Sequence, residues 1–328
     1  MAPPSSRRRR PSRPPAPGLW TRRRAGQGFV YRDAEGARVT DEEALERIRS
    51  LAIPPAWRHV RIAASPRARV QARGVDAAGR TQYLYHAGWR ERQEARKFRR
   101  ALGLAERLPG LRRRVTEDLR GKRGPRAQAL AAAVRIIDRT GMRVGGHRYA
   151  RENGTFGVTT VQREHVSLEG DAVAFDFPGK SGLRWEVVVT DPDLAAYLRA
   201  LPRRPAREPA LGYDDGHGFQ PVSASALNEY LRGSSASGVS AKDLRTWRAT
   251  VVAARSLARS RQQEADADTA WRDAVAAAAE WLHNTPAVAR SSYVDPHLLE
   301  AYQEGRAVAG PRASERSVCE LLRSARAA

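Results

Sequence analysis

Residues 166–190 read VSLEGDAVAFDFPGKSGLRWEVVVT, and this stretch decides the fold. Three runs rich in β-branched and aromatic residues are separated by turn signals at 169–171 and 177–182, which predicts three strands joined by two hairpins. The second turn, FPGKSG, ends like a phosphate-binding loop. That motif needs an earlier glycine where this chain has Ala174, and a helix where this chain has another strand. We therefore expect a β-meander with Lys180 at a hairpin tip and no ATP site.

Helical patterns lie on both sides of this predicted meander. Before it, Leu130, Val134 and Ile137 recur at helical spacing and stop at Gly141, a residue typical of helix ends. After it, helical patterns cover residues 224–233, 242–258, 269–283 and 295–305. This part of the chain is therefore predicted to be mostly helical.

The N-terminal part mixes strand and helix signals. Strand-like runs are FVYRDAEGARVT, VRIAAS and RTQYLYHAG, and a helical pattern, EEALERIRSLAI, stands between the first two. A charged amphipathic helix follows over 91–104, and Pro109 is expected to mark a joint or a loop just beyond it. The sequence thus predicts an α+β fold with a small β-rich lobe over 28–90 and a larger, mainly helical lobe over 91–328.

The charge of the chain points to a polyanionic partner. Lys and Arg number 58 against 36 Asp and Glu, a net charge of +22, and guanidinium groups suit bidentate contact with phosphate. No apolar run approaches the length of a membrane span. The single Cys319 excludes an internal disulfide and a cysteine-based zinc site. We expect a cytoplasmic, nucleoid-associated protein that binds DNA and needs no metal or other cofactor.

The first 24 residues carry eight arginines, six prolines and no acidic residue. Such a composition cannot bury enough apolar surface to order itself, so residues 1–27 are predicted to be a disordered basic tail. Two interpretations of this tail are equally open. It grips the phosphate backbone without sequence preference, or it is a solubilising extension with no specific role.

Four side chains stand out as candidates for chemistry. Arg143 lies among glycines in TGMRVGG, Lys180 in FPGKSG, Arg245 near a helix start in KDLRTWRAT, and Tyr293 near the end of a short helix in SSYVDP. Glycines let a backbone approach a ligand closely, and Thr285 followed by Pro286 is a typical helix start. Each residue alone also has an ordinary structural explanation, as a surface ion pair, a solvated turn or core packing.

Together, these motifs resemble in their order the type IB DNA topoisomerases, in particular the small bacterial and poxvirus-like branch. The N-terminal segments RDAEGARVTDEEALERIRSLAIPPAWRHVRI and GRTQYLYH are similar to that family as well, so the resemblance covers nearly everything from Gly28 to Tyr302. It implies a monomeric, C-shaped clamp on double-stranded DNA, formed by a DNA-binding lobe over 28–90 and a catalytic lobe over 91–328. It further implies relaxation of supercoils without ATP or metal.

The resemblance also assigns roles to the four residues. Tyr293 would attack a backbone phosphorus to form a 3'-phosphotyrosyl bond, Arg143 and Arg245 would stabilise the charged transition state, and Lys180 would protonate the leaving 5'-oxygen. These roles require the Tyr293 phenol to lie within reach of both guanidinium groups. A phenol buried away from them would leave only a basic DNA-binding protein.

Further site residues follow from the same resemblance. Asn284 stands where many relatives have a histidine, nine residues before the tyrosine, and should bind a phosphate oxygen by hydrogen bonding only. The adjacent His283 is the alternative, or it serves as a helix cap. Gln82 and Tyr83 resemble residues that contact DNA in the major groove, and Lys242 resembles a phosphate or base contact. Their alternatives are one face of a strand and a solvated helix start.

Two other functions compete with this interpretation. Tyrosine recombinases use a similar Arg, Lys, Arg, Tyr constellation, but they usually place a histidine where this chain has Lys242, three residues before Arg245. A non-enzymatic DNA-compacting protein would be explained by the charge alone. The first would exchange strands between two DNA sites, and the second would work equally well without Tyr293.

Overall fold

The computed structural model describes residues 18–179, 182–235 and 238–327, without the side chains of 90, 91, 234 and 235. The chain divides into two compact units, Met1–Ala95 and Arg96–Ala328. About half of the residues are helical and about a fifth lie in strands, which confirms the α+β prediction. Within the described ranges, no helix combines the length and the apolar character that a membrane crossing requires.

The first unit is built on a five-stranded antiparallel sheet with the order β2-β1-β3-β4-β5. Its strands are β1 (Leu19–Ala25), β2 (Gly28–Arg32), β3 (Arg58–Ala63), β4 (Val70–Val75) and β5 (Thr81–Tyr85). Helix α1 (Glu42–Ser50) begins after Asp41, whose carboxylate accepts a hydrogen bond from the Ala44 amide. Ile48 of this helix packs against Val60 and Ile62 to form the core of the unit.

The predicted disorder of residues 1–27 is wrong for 19–25, which form β1 between β2 and β3. Two tertiary contacts explain the difference. Trp20 packs against the core of the unit, and the Arg22 guanidinium donates hydrogen bonds to the carbonyls of Ile53, Pro54 and Trp57. An arginine-rich strand is therefore ordered by the backbone acceptors around it. Residues 1–17 lie outside the described residues.

Helix α2 (Ala87–Leu119) runs through Pro109 without a break, so the prediction of a joint or loop at 106–110 is wrong. Proline in a helix interior removes one hydrogen bond and costs about 3 kcal/mol. Leu108 and Leu111, on either side of the proline, are fully buried, and their packing offsets this cost.

The second unit contains the predicted meander and the predicted helices. The three-stranded sheet has the order β6-β7-β8, with β6 (Val166–Glu169), β7 (Ala172–Pro178) and β8 (Arg184–Thr190), and a small hairpin joins β9 (Gly212–Asp214) to β10 (Phe219–Pro221). The helices are α3 (Pro125–Thr140), α4 (His147–Asn153), α5 (Pro192–Ala200), α6 (Ala224–Ser235), α7 (Ala241–Gln262), α8 (Ala267–Trp281), α9 (Pro286–Ser292), α10 (His297–Gln303) and α11 (Glu315–Ala327). The strands β4, β9 and β10 and the helices α4, α5 and α11 were not predicted.

Helix α3 is the centre of the second unit. It is rich in alanine, almost fully buried, and contacts α5, α6 and α7. Gly141 ends it in the left-handed region at φ 71°, and a Cβ there would lie 2.6 Å from the Trp281 ring. Only glycine therefore fits this turn, which sets the course of the chain into the segment that holds Arg143.

A buried ion pair joins α3 to the start of α5. Arg135 donates hydrogen bonds to the Asp191 carboxylate and, at 2.6 Å, to the Thr116 hydroxyl. Asp191 is 2% exposed and also accepts the Leu194 amide at the start of α5. Arg139 approaches the same carboxylate only to 3.8 Å, from an exposed position.

We expect Arg135→Met to lower the free energy of unfolding by about 3–5 kcal/mol, because it leaves a buried carboxylate without its cation. Arg139→Met, the matched control, should cost less than about 1 kcal/mol, since its partner contact is long and solvated. Urea unfolding of both variants measures the difference. Equal losses in the two variants would contradict the assignment of Arg135 as the main partner.

Candidate active site

Tyr293 lies at the end of α9, in the position the sequence predicts. Thr285 caps this helix by accepting a hydrogen bond from the Val288 amide, and the Tyr293 amide closes the last turn onto the Ala289 carbonyl at 2.9 Å. The Tyr293 carbonyl accepts a hydrogen bond of 3.1 Å from the Thr250 hydroxyl on α7. The backbone on both sides of the phenol is thus fixed.

Arg245 brings the second turn of α7 into contact with this phenol. Its Nη1 donates to the Tyr293 Oη at 2.7 Å, and its Nε donates to the Gly141 carbonyl at 2.6 Å. Its Nη2 is buried and has no hydrogen-bond partner in the described part of the chain. One donor of a fixed guanidinium thus remains available beside the phenol oxygen.

Arg143 enters the same site from the segment after α3. Its Nη2 donates to the Asn284 Oδ1, and the His283 carbonyl lies 3.4 Å from the same nitrogen. The amide nitrogen of Asn284, Nδ2, is buried and finds no partner among the described residues. The Asn284 side chain therefore uses its oxygen to hold Arg143 and has its own donor free.

The Arg143 backbone is held as closely as its side chain. Its carbonyl accepts the Val158 amide at 2.9 Å, and a Cβ at Gly157 would lie 2.5 Å from that carbonyl oxygen. The glycines of this segment thus serve close backbone packing, as well as any approach by a ligand.

Burial sets the electrostatics of the two arginines. Arg245 is 4% exposed, and desolvation lowers its pKa to about 10, with proximity to Arg143 adding to the effect. Burial likewise lowers the pKa of Arg143. Neither guanidinium has a carboxylate partner among the described residues, yet both stay charged at neutral pH. A buried and a half-buried cation, neither with a counter-ion among the described residues, favour binding of an anion.

Tyr293 is itself 9% exposed, so the phenol is largely covered. It is not buried away from the cations, because the Arg245 guanidinium carbon lies 4.8 Å from the ring centroid and Nη1 reaches the hydroxyl. The proposed roles require the Tyr293 phenol to lie within reach of both guanidinium groups, and the structure meets this requirement for Arg245. Arg245 Nη2, on the same guanidinium, is an unpaired donor beside this hydroxyl, and Asn284 Nδ2 is the second unpaired donor of the described site.

Two hydrogen-bonded pairs, Arg143 with Asn284 and Arg245 with Tyr293, lie close enough for Arg143 to interact electrostatically with both Tyr293 and Arg245. The structure thus brings four of the predicted catalytic residues together. Lys180 lies outside the described residues, between β7 and β8. Lys242 is exposed in the first turn of α7, where a DNA contact is sterically open to it. Within the described ranges, no group of three His, Cys, Asp or Glu side chains is placed to hold a metal ion.

Gln82 and Tyr83 lie on β5 of the first unit, where consecutive side chains point to opposite faces of the sheet. The Gln82 amide donates to the Asp76 carboxylate at 2.9 Å, while Tyr83 is 45% exposed. Tyr85, on the same face as Tyr83, stacks on Trp89 with the ring centroids 4.3 Å apart. Of the two predicted DNA contacts, Gln82 and Tyr83, Tyr83 is therefore the more accessible.

Sequence analysis missed one aromatic contact near the site. The Trp185 ring on β8 stacks on the His283 ring, with centroids 4.0 Å apart and planes 28° apart. The sequence does place a tryptophan, Trp185, on the inward face of the meander. It does not show that the ring packs on His283, because that residue lies far along the chain. His283 follows α8 in the left-handed region, at φ 47°, as the predicted helix-cap alternative requires.

Comparisons with known proteins identify the family of the chain. The chain matches the family model described as eukaryotic DNA topoisomerase I, catalytic core, over residues 86–309, and the model of the bacterial DNA topoisomerase IB N-terminal domain over residues 28–76. It is 26% identical over 291 residues to DNA topoisomerase 1B of Acanthamoeba polyphaga mimivirus, covering 86% of this chain and 87% of the viral protein.

Two fungal relatives are larger proteins. The chain is 24% identical over 247 residues to DNA topoisomerase 1 of Mycosarcoma maydis, and 27% identical over 177 residues to that of Candida albicans. These matches cover 69% and 53% of this chain but 22% of each fungal protein. With a catalytic-core match over most of its length and the matching N-terminal domain, the chain belongs to the type IB DNA topoisomerase family and is an isomerase that binds DNA and changes its topology.

Proposed function

We propose that this enzyme relaxes supercoiled DNA by cutting one strand through a 3'-phosphotyrosyl bond to Tyr293 and then resealing it, without ATP or metal. One observation carries the proposal: the Tyr293 hydroxyl accepts a hydrogen bond from a buried guanidinium that keeps one unpaired donor. That arrangement supports a nucleophile and a binding point for phosphate side by side.

In the proposed step, the Tyr293 oxygen attacks the phosphorus, and the bond between phosphorus and the 5'-oxygen breaks. Arg245 Nη1 donates to the phenol oxygen, so the hydroxyl proton is not used in that bond and passes to solvent water as the new oxygen–phosphorus bond forms. The leaving 5'-oxygen takes up a proton, which we assign to Lys180 as general acid on the basis of the family resemblance. The products are a 3'-phosphotyrosyl linkage and a 5'-hydroxyl.

The two cations and the asparagine act on the charge that the reaction concentrates on the non-bridging oxygens. Arg245 Nη2 and Asn284 Nδ2 are the donors without partners, and Arg143 is held by the Asn284 oxygen. Because these donors are already fixed and desolvated, they need little reorganisation when charge develops. A single such donor is worth about a hundredfold to a thousandfold in rate.

Resealing is the reverse of the cleavage reaction in the same site. The phosphotyrosyl bond conserves the free energy of the broken phosphodiester, so the 5'-hydroxyl can attack it without an external energy source. Between the two steps the free 5'-end swivels about the intact strand, and this rotation removes supercoils. The enzyme therefore needs only the torsional strain of its substrate.

The remaining assignments rest on the family resemblance and stay predictions. Residues 28–90 would supply DNA contacts through Gln82 and Tyr83, and Lys242 would contact DNA beside the cleavage site in the catalytic lobe over 91–328. The enzyme would act as a monomeric clamp on double-stranded DNA in the nucleoid.

We expect Tyr293→Phe to abolish the covalent DNA adduct and plasmid relaxation while DNA binding survives, because only the nucleophilic oxygen is removed. Plasmid relaxation in EDTA without ATP, followed by denaturing gels for a protein–DNA adduct, measures this. Tyr302→Phe is the matched control, since Tyr302 is also buried but donates its hydroxyl to the Ala265 carbonyl. Adduct formation by the Tyr293 variant would rule out the proposed nucleophile, and strand exchange between two target sites would favour a recombinase.

We expect Arg245→Met to slow single-turnover cleavage by about a hundredfold or more. Its free energy of unfolding should stay within about 1 kcal/mol of the parent or rise, because a desolvated cation without a counter-ion is lost. The sign follows from the lowered pKa of Arg245, which shows that the folded protein disfavours the charged form.

Arg135→Met, which breaks a paired buried arginine, is the stability control for this variant. It should lose stability yet cleave DNA at the parental rate at temperatures where it is folded. A large loss of stability in Arg245→Met, or parental cleavage by it, would contradict the role assigned to Arg245.

A further inference from the structure

His283 occupies a backbone position that disfavours its side chain. It follows the last turn of α8, where its amide bonds to the Glu280 carbonyl at 3.0 Å and the Asn284 amide bonds to the Ala279 carbonyl at 2.9 Å. Its φ of 47° lies in the left-handed region, which glycine adopts most readily and asparagine tolerates. A histidine at this helix end needs a compensating interaction.

The β-meander supplies that interaction. The His283 ring stacks on Trp185 with centroids 4.0 Å apart, and it hydrogen-bonds to the Arg184 backbone. Trp185 is buried on the inner face of β8, where it also stacks on Phe177 of β7. Burial lowers the pKa of His283, so the ring is neutral at pH 7 and is held by stacking rather than by its charge.

The other side of His283 faces the catalytic residues. Its carbonyl lies 3.4 Å from Arg143 Nη2, and the next residue, Asn284, accepts a hydrogen bond from that same nitrogen. The peptide between 283 and 284 therefore joins the ring stacked on β8 to the side chain that holds Arg143. A rotation of this peptide would move both the His283 carbonyl and the Asn284 backbone amide.

We propose that His283 is a positioning residue: by stacking on Trp185 it fixes the peptide that aims Asn284 at the scissile phosphate and holds Arg143 beside it. This inference rests on the proposed cleavage reaction and deepens it. It assigns the phosphate contact to Asn284 and gives His283 no contact with DNA. The stack of His283 on Trp185 also connects the β-meander to Asn284 and Arg143, the two residues proposed to bind the phosphate.

The test is His283→Gly, which removes the ring but suits the left-handed backbone. We expect single-turnover cleavage to slow by about tenfold to a hundredfold, the size of effect that a misplacement of about 1 Å has on a catalytic group. DNA affinity should change less than about twofold, since His283 itself binds no DNA. The unfolding midpoint should stay close to the parental value, because relief of backbone strain offsets the lost stack.

Glu264→Gly is the matched control. Glu264 stands at the equivalent position after α7, with φ 55°, exposed and away from the catalytic residues. This variant should cleave at the parental rate. If His283→Gly is poorly folded by circular dichroism, His283→Asn replaces it, because asparagine also tolerates the left-handed region.

A double-mutant cycle separates positioning from a general structural role. If His283 acts through Asn284, His283→Gly should slow cleavage by less than about twofold in an Asn284→Ala background. Multiplicative losses in the double variant would overturn the proposal, and so would parental cleavage by a folded His283 variant. Adduct formation by Tyr293→Phe would instead refute the cleavage mechanism itself, so the two failures are distinguishable.

Discussion

The site depends on one constraint: the Arg245 guanidinium is buried from water and gains no carboxylate partner from the residues that the structure describes. Arg135, another buried arginine of the same unit, differs in this respect: it is paired with the Asp191 carboxylate and bonded to the Thr116 hydroxyl. Arg245 instead bonds to a neutral carbonyl, to the Tyr293 hydroxyl, and leaves one donor unpaired. An unpaired buried charge is costly, so its presence next to a phenol is best explained by an anionic substrate.

Local structure around the site sustains this arrangement. The left-handed turn at Gly141 aims its carbonyl at Arg245, and the chain then carries Arg143 towards Asn284. Helix α9 starts at Thr285 and Pro286, Tyr293 caps its end, and the Tyr293 carbonyl accepts a hydrogen bond from the Thr250 hydroxyl. Apart from the side-chain bond between Arg143 and Asn284, each contact involves the backbone, which keeps the donors still while charge develops on the substrate.

Features encoded by local sequence were predictable, and features created by tertiary contacts were not. The meander, the end of α3 and the start of α9 follow from turn and cap residues close in sequence. Strand β1 was missed because Arg22 finds backbone acceptors in a distant loop. The helix through Pro109 was missed because burial of the residues beside the proline outweighs its cost. The motif order predicted Arg143, Arg245, Asn284 and Tyr293 as site residues, and the structure places them close together. Neither the missing counter-ions nor the stack of His283 on Trp185 could be read from the sequence, since both depend on residues far apart along the chain.

The most direct test of the account replaces one non-bridging oxygen of the scissile phosphate by a methyl group, which makes that linkage neutral. If Arg143 and Arg245 lack counter-ions because they bind the charged oxygens, alanine at either position should matter far less on this substrate. The account predicts that the cleavage deficit, about a hundredfold or more on normal DNA, shrinks below about tenfold. An unchanged deficit on the neutral linkage would show that the guanidinium groups serve the fold and not the phosphate charge.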